Sequence, residues 1–302
     1  MTMTTSVPMG GTGLVLGRSL RGVLLYAAAV LFFATMDTTT KTLAAHWAVP
    51  LIVAARYLSN LALMAAVLGP SQGRRLVRTH RTGLVLLRGL ALAVASLTFA
   101  LALERMPVAE TTAVTFLLPI LVVLVAGPLL GERIGRLGWV AAAAGFAGVL
   151  LIVRPGSGLD AVGVGFVLLN VLAGLAYQLL SRLLAGTEST LAMLFLTALV
   201  GSVAFGLALP WTWGGPMPTP GQLLLFLSLG VTGGVGHYLL TSAYRYAPAS
   251  LLAPVQYLQL VWAALLGWLV FGHVPDAVSG LGMAVVVGSG LMVALRSRHA
   301  PR

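Results

Sequence analysis

Long apolar stretches, separated by short polar connections, cover nearly the whole chain. Most are close to the ~20 residues that a helix needs to cross the hydrocarbon core of a bilayer. Helix is the expected conformation, because lipid offers no partner for an unsatisfied backbone N–H or C=O group. The pattern predicts ten membrane spans, at residues 22–42, 49–69, 83–103, 107–128, 137–154, 162–183, 189–209, 222–244, 248–271 and 277–295.

The second five spans repeat the first five at an offset of 141 residues, which relates Lys41 to Arg182 and Pro107 to Pro248. An odd number of spans in each half makes the second half run opposite to the first, as in an inverted repeat. We therefore predict an all-α polytopic membrane protein with ten transmembrane helices, arranged as two inverted five-helix repeats around a central cavity. The repeats cover residues 18–158 and 159–296, with short cytoplasmic tails at 1–17 and 297–302.

Composition supports a membrane protein, because 59% of the residues are hydrophobic and only 8% are charged, against about 25% charged in soluble domains. The net charge of +11 does not indicate a nucleic-acid partner, since the basic residues lie in short loops and at the termini. The partners expected are a small-molecule substrate and membrane lipid, and the chain is expected to be a monomer. The absence of cysteine excludes disulfides and thiolate chemistry.

The positions of the basic residues predict the orientation. With the N-terminus inside, most arginines lie on the cytoplasmic side, and only Lys41, Arg105 and Arg154 lie at outer ends of spans. This positive-inside bias favours a multi-pass protein of the cell inner membrane with both termini in the cytoplasm.

One motif carries a resemblance to a known family. It runs from the end of span four into span five as Pro128-Leu129-Leu130-Gly131-Glu132-Arg133-Ile134, and its counterpart is Phe271-Gly272-His273-Val274-Pro275, where His273 replaces the glutamate. With its size and its two halves, the chain resembles the drug/metabolite transporter superfamily, its EamA-type members and, within them, the inner-membrane exporters of aromatic and neutral amino acids. The resemblance implies a solute carrier whose midplane cavity is lined by spans one, three, four, six, eight and nine, with spans five and ten at the back.

Ionisable side chains inside spans are costly unless they are paired or hydrated, so each is a functional candidate. Asp37 and Lys41 are four residues apart on one helical face, which favours an ion pair. With Arg56 and Glu110 they form a predicted cluster in the outer half of the first repeat. The cluster is interpreted as ion pairs or an outer gate, or alternatively as a place where Asp37 or Arg56 meets the substrate. Arg88, near the inner face, is expected to extend towards the headgroups.

Neutral polar and aromatic side chains are concentrated in the second half. Spans six, eight and nine contain the predicted substrate contacts Tyr177, His237, Gln256, Tyr257, Gln259 and Trp262. Gln256 and Gln259 are three residues apart and are expected to face the same way. Prolines inside spans kink helices, and glycines let helices approach closely, so the predicted hinges are Pro119, Gly233, Gly234 and Pro254.

No catalytic or metal-binding constellation occurs in the sequence, and we predict neither an enzyme nor a cofactor. Since no P-loop is present, transport must draw on a gradient. The predicted function is a secondary transporter that exports amino acids, aromatic or large neutral ones in particular, by alternating access. The alternatives are a carrier of another metabolite or drug (a nucleotide sugar, a phosphorylated metabolite or a cationic compound), a lipid-modifying membrane enzyme, and a membrane scaffold that does not transport.

Overall fold

A computed structural model describes residues 11–118, 120–121, 125, 136–154, 158–184, 186–243, 246 and 255–297. The described part of the chain is helical and contains no strand. The helices whose bounds are described are α1 (Gly11–Ala44), α2 (Val49–Gln72), α3 (Thr82–Arg105), α4 (Val108–Thr115), α5 (Arg136–Ile152), α6 (Ala161–Leu184), α7 (Thr190–Thr212), α8 (Pro220–Ala243), α9 (Leu258–Phe271) and α10 (Ala277–Ser297), with a 3-10 turn at Gly73–Leu76.

Six of the described helices are long and apolar enough to cross a membrane, namely α1, α2, α3, α6, α7 and α8. Shorter apolar segments lie in α5, α9 and α10. Predicted spans four and nine fall partly outside the described residues. The prediction of a multi-pass helical membrane protein is therefore confirmed, whereas the count of ten crossings stays a prediction.

Helix packing follows a two-fold pattern that relates α1–α5 to α6–α10. Exchanging the halves converts the contact between α1 and α8 into the contact between α6 and α3. It likewise converts α2 with α8 into α7 with α3, and α1 with α9 into α6 with α4. The pairs α2 with α7, α4 with α9, and α5 with α10 convert into themselves. The packing thus has the symmetry that a duplicated bundle requires.

One end of the bundle, here called the Lys41 end, shows how the halves are oriented. The Lys41 ammonium donates hydrogen bonds to the carbonyls of Leu103 at 2.7 Å and Met106 at 2.8 Å, where α3 ends. Arg105, the last residue of α3, lies 3.6 Å from Asp160, just before α6. Since α1 and α3 end where α6 begins, the first helices of the two halves run in opposite directions.

The opposite end, here called the Glu188 end, joins two connections from different halves. The Glu188 carboxylate accepts hydrogen bonds from the backbone N–H groups of His80 at 3.0 Å and Arg81 at 2.6 Å, directly before α3. Burial acts to raise the pKa of Glu188, but these N–H donors outweigh it and hold the pKa below its usual range.

Glycines allow the closest helix contacts. A Cβ atom at Gly230 would lie 2.6 Å from the backbone nitrogen of Asn60 in α2, and one at Gly234 would lie 2.9 Å from Asn60 Oδ1. The G-x-x-x-G spacing of α8 therefore serves helix packing. The helix continues without a break through Gly233 and Gly234, and their role as hinges stays a prediction.

The predicted proline hinges, Pro119 and Pro254, lie outside the described residues. The described helix α4 ends at Thr115, four residues before Pro119. In a continuous helix, a proline ring at position 119 would crowd the carbonyl of Thr115. Proline also lacks the N–H group that would bond to that carbonyl.

Candidate functional site

A cavity of about 730 Å³ lies inside the bundle. Its wall includes Thr190 and Leu194 from the first turns of α7 and Leu68 from the last turns of α2, so the cavity extends to the Glu188 end. Residues of α1, α3, α4, α6, α8 and α9 also line it, as the family resemblance implied. The implied set omitted α2 and α7, and both helices line the cavity because they pack between the halves.

Two opposite charges face this cavity. Asp37 is only 4% exposed, and its Oδ2 lies 3.5 Å from the side-chain nitrogen of Gln259 in α9. Arg56 lines the same cavity with its guanidinium carbon 5.0 Å from the centre of the Tyr57 ring. Among the described residues, neither charge has an ion-pair partner within 4.0 Å. An acid and a base are therefore both available to a ligand in the cavity.

Aromatic rings and neutral polar groups form much of the remaining wall. Phe33 meets the His237 ring edge-on at a centroid distance of 4.9 Å, and both line the cavity. The Tyr57 hydroxyl lies 2.9 Å from the Ser96 hydroxyl, which fixes the Tyr57 ring. The amide of Asn170 donates to the Ala95 carbonyl at 2.8 Å. This mixture of rings, amides and hydroxyls is typical of small-molecule sites.

Tyr177 lines the cavity, and its hydroxyl is bonded to Arg88, which lies outside the cavity wall. Arg88 Nη2 donates to the Tyr177 hydroxyl at 2.6 Å, and the Arg88 guanidinium carbon lies 4.3 Å from the centre of the Tyr177 ring. Arg88 is 5% exposed, so the prediction that it extends to the headgroups is wrong. Its polar partners inside the bundle remove the need to reach water.

The predicted cluster of Asp37, Lys41, Arg56 and Glu110 is divided between two places. Asp37 and Arg56 face the cavity, whereas Lys41 bonds to the carbonyls of Leu103 and Met106. The predicted ion pair between Asp37 and Lys41 is therefore wrong. The turn between α3 and α4 offers Lys41 two carbonyl acceptors, which the sequence spacing could not indicate.

Glu110 takes part in closing the Lys41 end. Its Oε1 lies 2.9 Å from His273 Nε2, a contact that joins the start of α4 to the residue after Gly272 at the end of α9. The other carboxylate oxygen is buried and has no hydrogen-bond partner among the described residues. At the same end, Arg154 contacts Asp276 at 3.1 Å and thereby joins α5 to α10. These contacts close the bundle on this side of the cavity.

Three of the six predicted substrate contacts, Tyr177, His237 and Gln259, line the cavity. The other three do not belong to its wall. Trp262 packs against a buried cluster around Tyr26, and the Tyr257 ring packs on Phe116 at 4.9 Å.

Gln256 is half-buried away from the cavity wall. The predicted common face of Gln256 and Gln259 is wrong, because only Gln259 lines the cavity, and a turn at Tyr257 separates the helical residues 255–256 from α9, which begins at Leu258.

Sequence reasoning named Arg56 in α2 but missed two of its neighbours that also line the cavity. Tyr57 and Asn60 both line it, at positions one and four residues after Arg56. The signal was present, since four polar side chains within residues 56–60 of an apolar span are unusual. The Oδ1 atom of Asn60 is buried without a hydrogen-bond partner among the described residues, and the side chain packs against Gly234.

Comparison with known proteins assigns the family. The EamA-like transporter family matches residues 20–154 and again residues 161–295. The second match is displaced by 141 residues from the first, the offset at which the sequence repeats. The chain belongs to the EamA-like transporter family, in the drug/metabolite transporter superfamily, which agrees with the prediction of a carrier and not an enzyme.

Individual relatives agree on transport and differ in substrate. The chain is 31% identical to a protein named riboflavin transporter from Rhizobium johnstonii, over 91% of each chain. It is 25% identical to a protein named S-adenosylmethionine uptake transporter from Rickettsia bellii, over 81% of this chain and 82% of that one. A solved crystal structure with 19% identity and a TM-score of 0.61 covers 95% of this chain and 98% of its own, which supports the fold. Amino-acid export was the predicted activity, and neither named relative carries that name.

Proposed function

We propose that this EamA-like transporter carries an uncharged or zwitterionic metabolite with a flat ring system, riboflavin or a close chemical relative, by alternating access. The observation that carries the proposal is the cavity of about 730 Å³, since small-molecule sites measure about 300–1,000 Å³. A fused three-ring molecule with a hydroxylated chain has the size and the mixed polarity for such a space.

The wall chemistry supports this class of substrate. The rings of Phe33, Tyr57 and Tyr177 offer stacking faces for a flat ring system. The amides of Asn60 and Asn170 offer hydrogen bonds to ring carbonyls, ring N–H groups or chain hydroxyls. The relative from Rhizobium johnstonii that is named riboflavin transporter matches along 91% of this chain, which supports riboflavin as the compound to test first.

The proposed orientation places the Glu188 end in the cytoplasm of the inner membrane. Arg74, Arg75, Arg78 and Arg81 are all exposed at that end, and cytoplasmic loops carry an excess of such residues. The open cavity then faces inwards and the Lys41 end faces outwards. Lys41 and Glu110, through their contacts with the α3–α4 turn and His273, serve as the outer gate.

Uptake into proteoliposomes tests the proposal. Purified protein is reconstituted, and labelled riboflavin is supplied with and without excess unlabelled riboflavin, with protein-free liposomes as the control. We expect saturable uptake that unlabelled riboflavin suppresses. Uptake no greater than in protein-free liposomes contradicts the proposal, whereas flux of S-adenosylmethionine alone shifts the substrate to that class.

Export of aromatic or large neutral amino acids is the second candidate. The observation in its favour is that Asp37 and Arg56 face one cavity, so the ammonium and the carboxylate of a zwitterion can each meet an opposite charge. Labelled tryptophan and phenylalanine in the same liposomes test it, with Asp37→Asn and Arg56→Gln alongside. Saturable flux of tryptophan that both substitutions reduce favours this candidate, and flux of riboflavin alone excludes it.

A further inference from the structure

Arg88 is a buried cation that does not belong to the cavity wall but lies directly behind it. Its Nη2 donates to the hydroxyl of Tyr177 and its Nη1 donates to Thr197 Oγ1 at 2.9 Å. Tyr177 and Thr197 both line the cavity. One layer of side chains therefore separates the guanidinium from the space that a ligand would occupy.

The charge of Arg88 is solvated by neutral groups alone. Besides Tyr177 and Thr197, its acceptors are the Ser181 hydroxyl at 2.7 Å and the Met193 carbonyl at 3.3 Å. Among the described residues, no carboxylate forms an ion pair with it. Hydroxyl and carbonyl dipoles stabilise a cation without cancelling its charge, so its field extends beyond its hydrogen-bond partners.

The other charges around the cavity balance one another. Asp37 and Arg56, which line it, are one acid and one base, so the acid offsets at most one positive charge. His237, the remaining basic side chain in the described part of the wall, can only add positive charge. Lys41, Glu110 and His273 lie at the Lys41 end, where Lys41 bonds to the carbonyl of Leu103 and Glu110 contacts His273. Among the described residues in and directly behind the wall, Arg88 is therefore a surplus positive charge, and their net charge is positive.

We propose that Arg88 sets the charge selectivity of this carrier: the cavity accepts neutral and anionic ring compounds and discriminates against cationic ones of the same shape. The proposal rests on the proposed function, since it specifies the charge class of the same substrate. A cation one side-chain layer away, at an effective dielectric constant of ~20, is expected to change affinity by about tenfold or more for each unit of ligand charge. Arg88 thus positions Tyr177, and it is also the source of the electrostatic field that a ligand in the cavity would experience.

A series of flavins that differ only in charge tests the proposal on the unmodified protein. Riboflavin is compared with flavins whose side chain ends in a carboxylate or in a trimethylammonium group, and binding to purified protein is followed by flavin fluorescence. Because the two differ by two units of charge, we expect the cationic flavin to bind about a hundredfold or more weakly than the anionic one, with riboflavin between them. Equal binding of the two, or tighter binding of the cation, overturns the proposal.

Two substitutions at Arg88 separate its charge from its packing. Arg88→Lys keeps the charge and loses the forked hydrogen bonds, so we expect weaker binding of all three flavins with the same ranking. Arg88→Gln removes the charge, and we expect the gap between the cationic and anionic flavins to shrink towards none. Arg105→Gln, which changes an arginine at the Lys41 end outside the cavity wall, should leave the gap as it is. A gap that Arg88→Gln leaves unchanged overturns the role of Arg88.

A further variant keeps the test available if Arg88→Gln does not fold. Thr197→Asp places a carboxylate where Thr197 Oγ1 now accepts from Arg88, which neutralises the guanidinium in place. The proposal requires that this variant also lose the discrimination, and retained discrimination contradicts it. If no flavin binds the unmodified protein, the riboflavin proposal fails. Indole-3-acetate and tryptamine, an anion and a cation with one shared ring, then test the charge selectivity by itself.

Discussion

The Lys41 end and the cavity differ in whether their charged side chains have partners within the protein. At the Lys41 end, Lys41 has two carbonyl acceptors, Glu110 contacts His273, and Arg154 contacts Asp276. In the cavity, Asp37 has one long contact with an amide, and Arg56 has no ion-pair partner among the described residues. Only one helical turn of α1 separates Asp37 from Lys41.

This difference identifies which end of the protein is closed. Buried charges without partners cost free energy unless water or a ligand reaches them, so they are tolerated in the cavity, which extends to the Glu188 end. Partners within the protein replace that water at the Lys41 end, and the contacts there join helices from both halves. Alternating access requires these contacts to break when the Lys41 end opens. Two experiments test whether they hold it closed, and a third tests the carboxylate contact at the Glu188 end.

Accessibility to a thiol reagent should show the largest effect. The native chain has no cysteine, so single cysteines can be introduced without background labelling. Leu194→Cys in the cavity should react with a membrane-impermeant maleimide added from the Glu188 end, because that residue lines the open cavity. Thr40→Cys should stay unlabelled from either side, because Thr40 is buried beside the closed end.

The control for this contrast is Ala45→Cys. Ala45 is exposed at the Lys41 end and should react from that side in every background, which shows that the reagent reaches the surface. Equal labelling of the cysteines at positions 40 and 194 from the Glu188 end would mean that the region around Thr40 is as accessible as the cavity, which contradicts a closed Lys41 end.

Lys41→Met should produce an intermediate effect. The substitution keeps an apolar stem but leaves the carbonyls of Leu103 and Met106 without their donor. A hydrogen bond from a charged donor contributes about 1.5–3 kcal/mol, so we expect the closed state to lose about that much stability. A cysteine at position 40 should then become reactive from the Lys41 side, and flux should change. Unchanged labelling would show that Lys41 does not hold this end closed.

Glu188→Gln should have the smallest effect, confined to the Glu188 end. A carboxylate whose folded pKa lies below the ordinary value of 4.5 adds stability above that value, and the stability is lost as pH falls through the folded pKa. The thermal unfolding temperature of the variant in detergent should therefore be slightly lower than that of the native protein at neutral pH. The two temperatures should converge in acid, while a difference that persists there would contradict the charge as its cause.

Much of the fold could be predicted because the bilayer restricts the choices. Apolar length predicted helices, and the offset between Lys41 and Arg182 agrees with the displacement between the two matches to the family. The site was less predictable, since side-chain partners depend on helix rotation and on where helices begin. A turn at Tyr257 lies between Gln256 and Gln259, and only Gln259 lines the cavity. Lys41 bonds to carbonyls at the α3–α4 turn in place of Asp37.

The sequence by itself determined that this chain is a duplicated helical membrane carrier, because lipid leaves a backbone few conformations and a repeat leaves its period in the residues. Only the tertiary structure decided which polar groups share a space. It placed α2 and α7 in the cavity wall, and it surrounded Arg88 with hydroxyls and a carbonyl in place of headgroups. These contacts join residues that are far apart in the chain. A local sequence pattern does not specify how the helices rotate and shift relative to one another to bring such residues together.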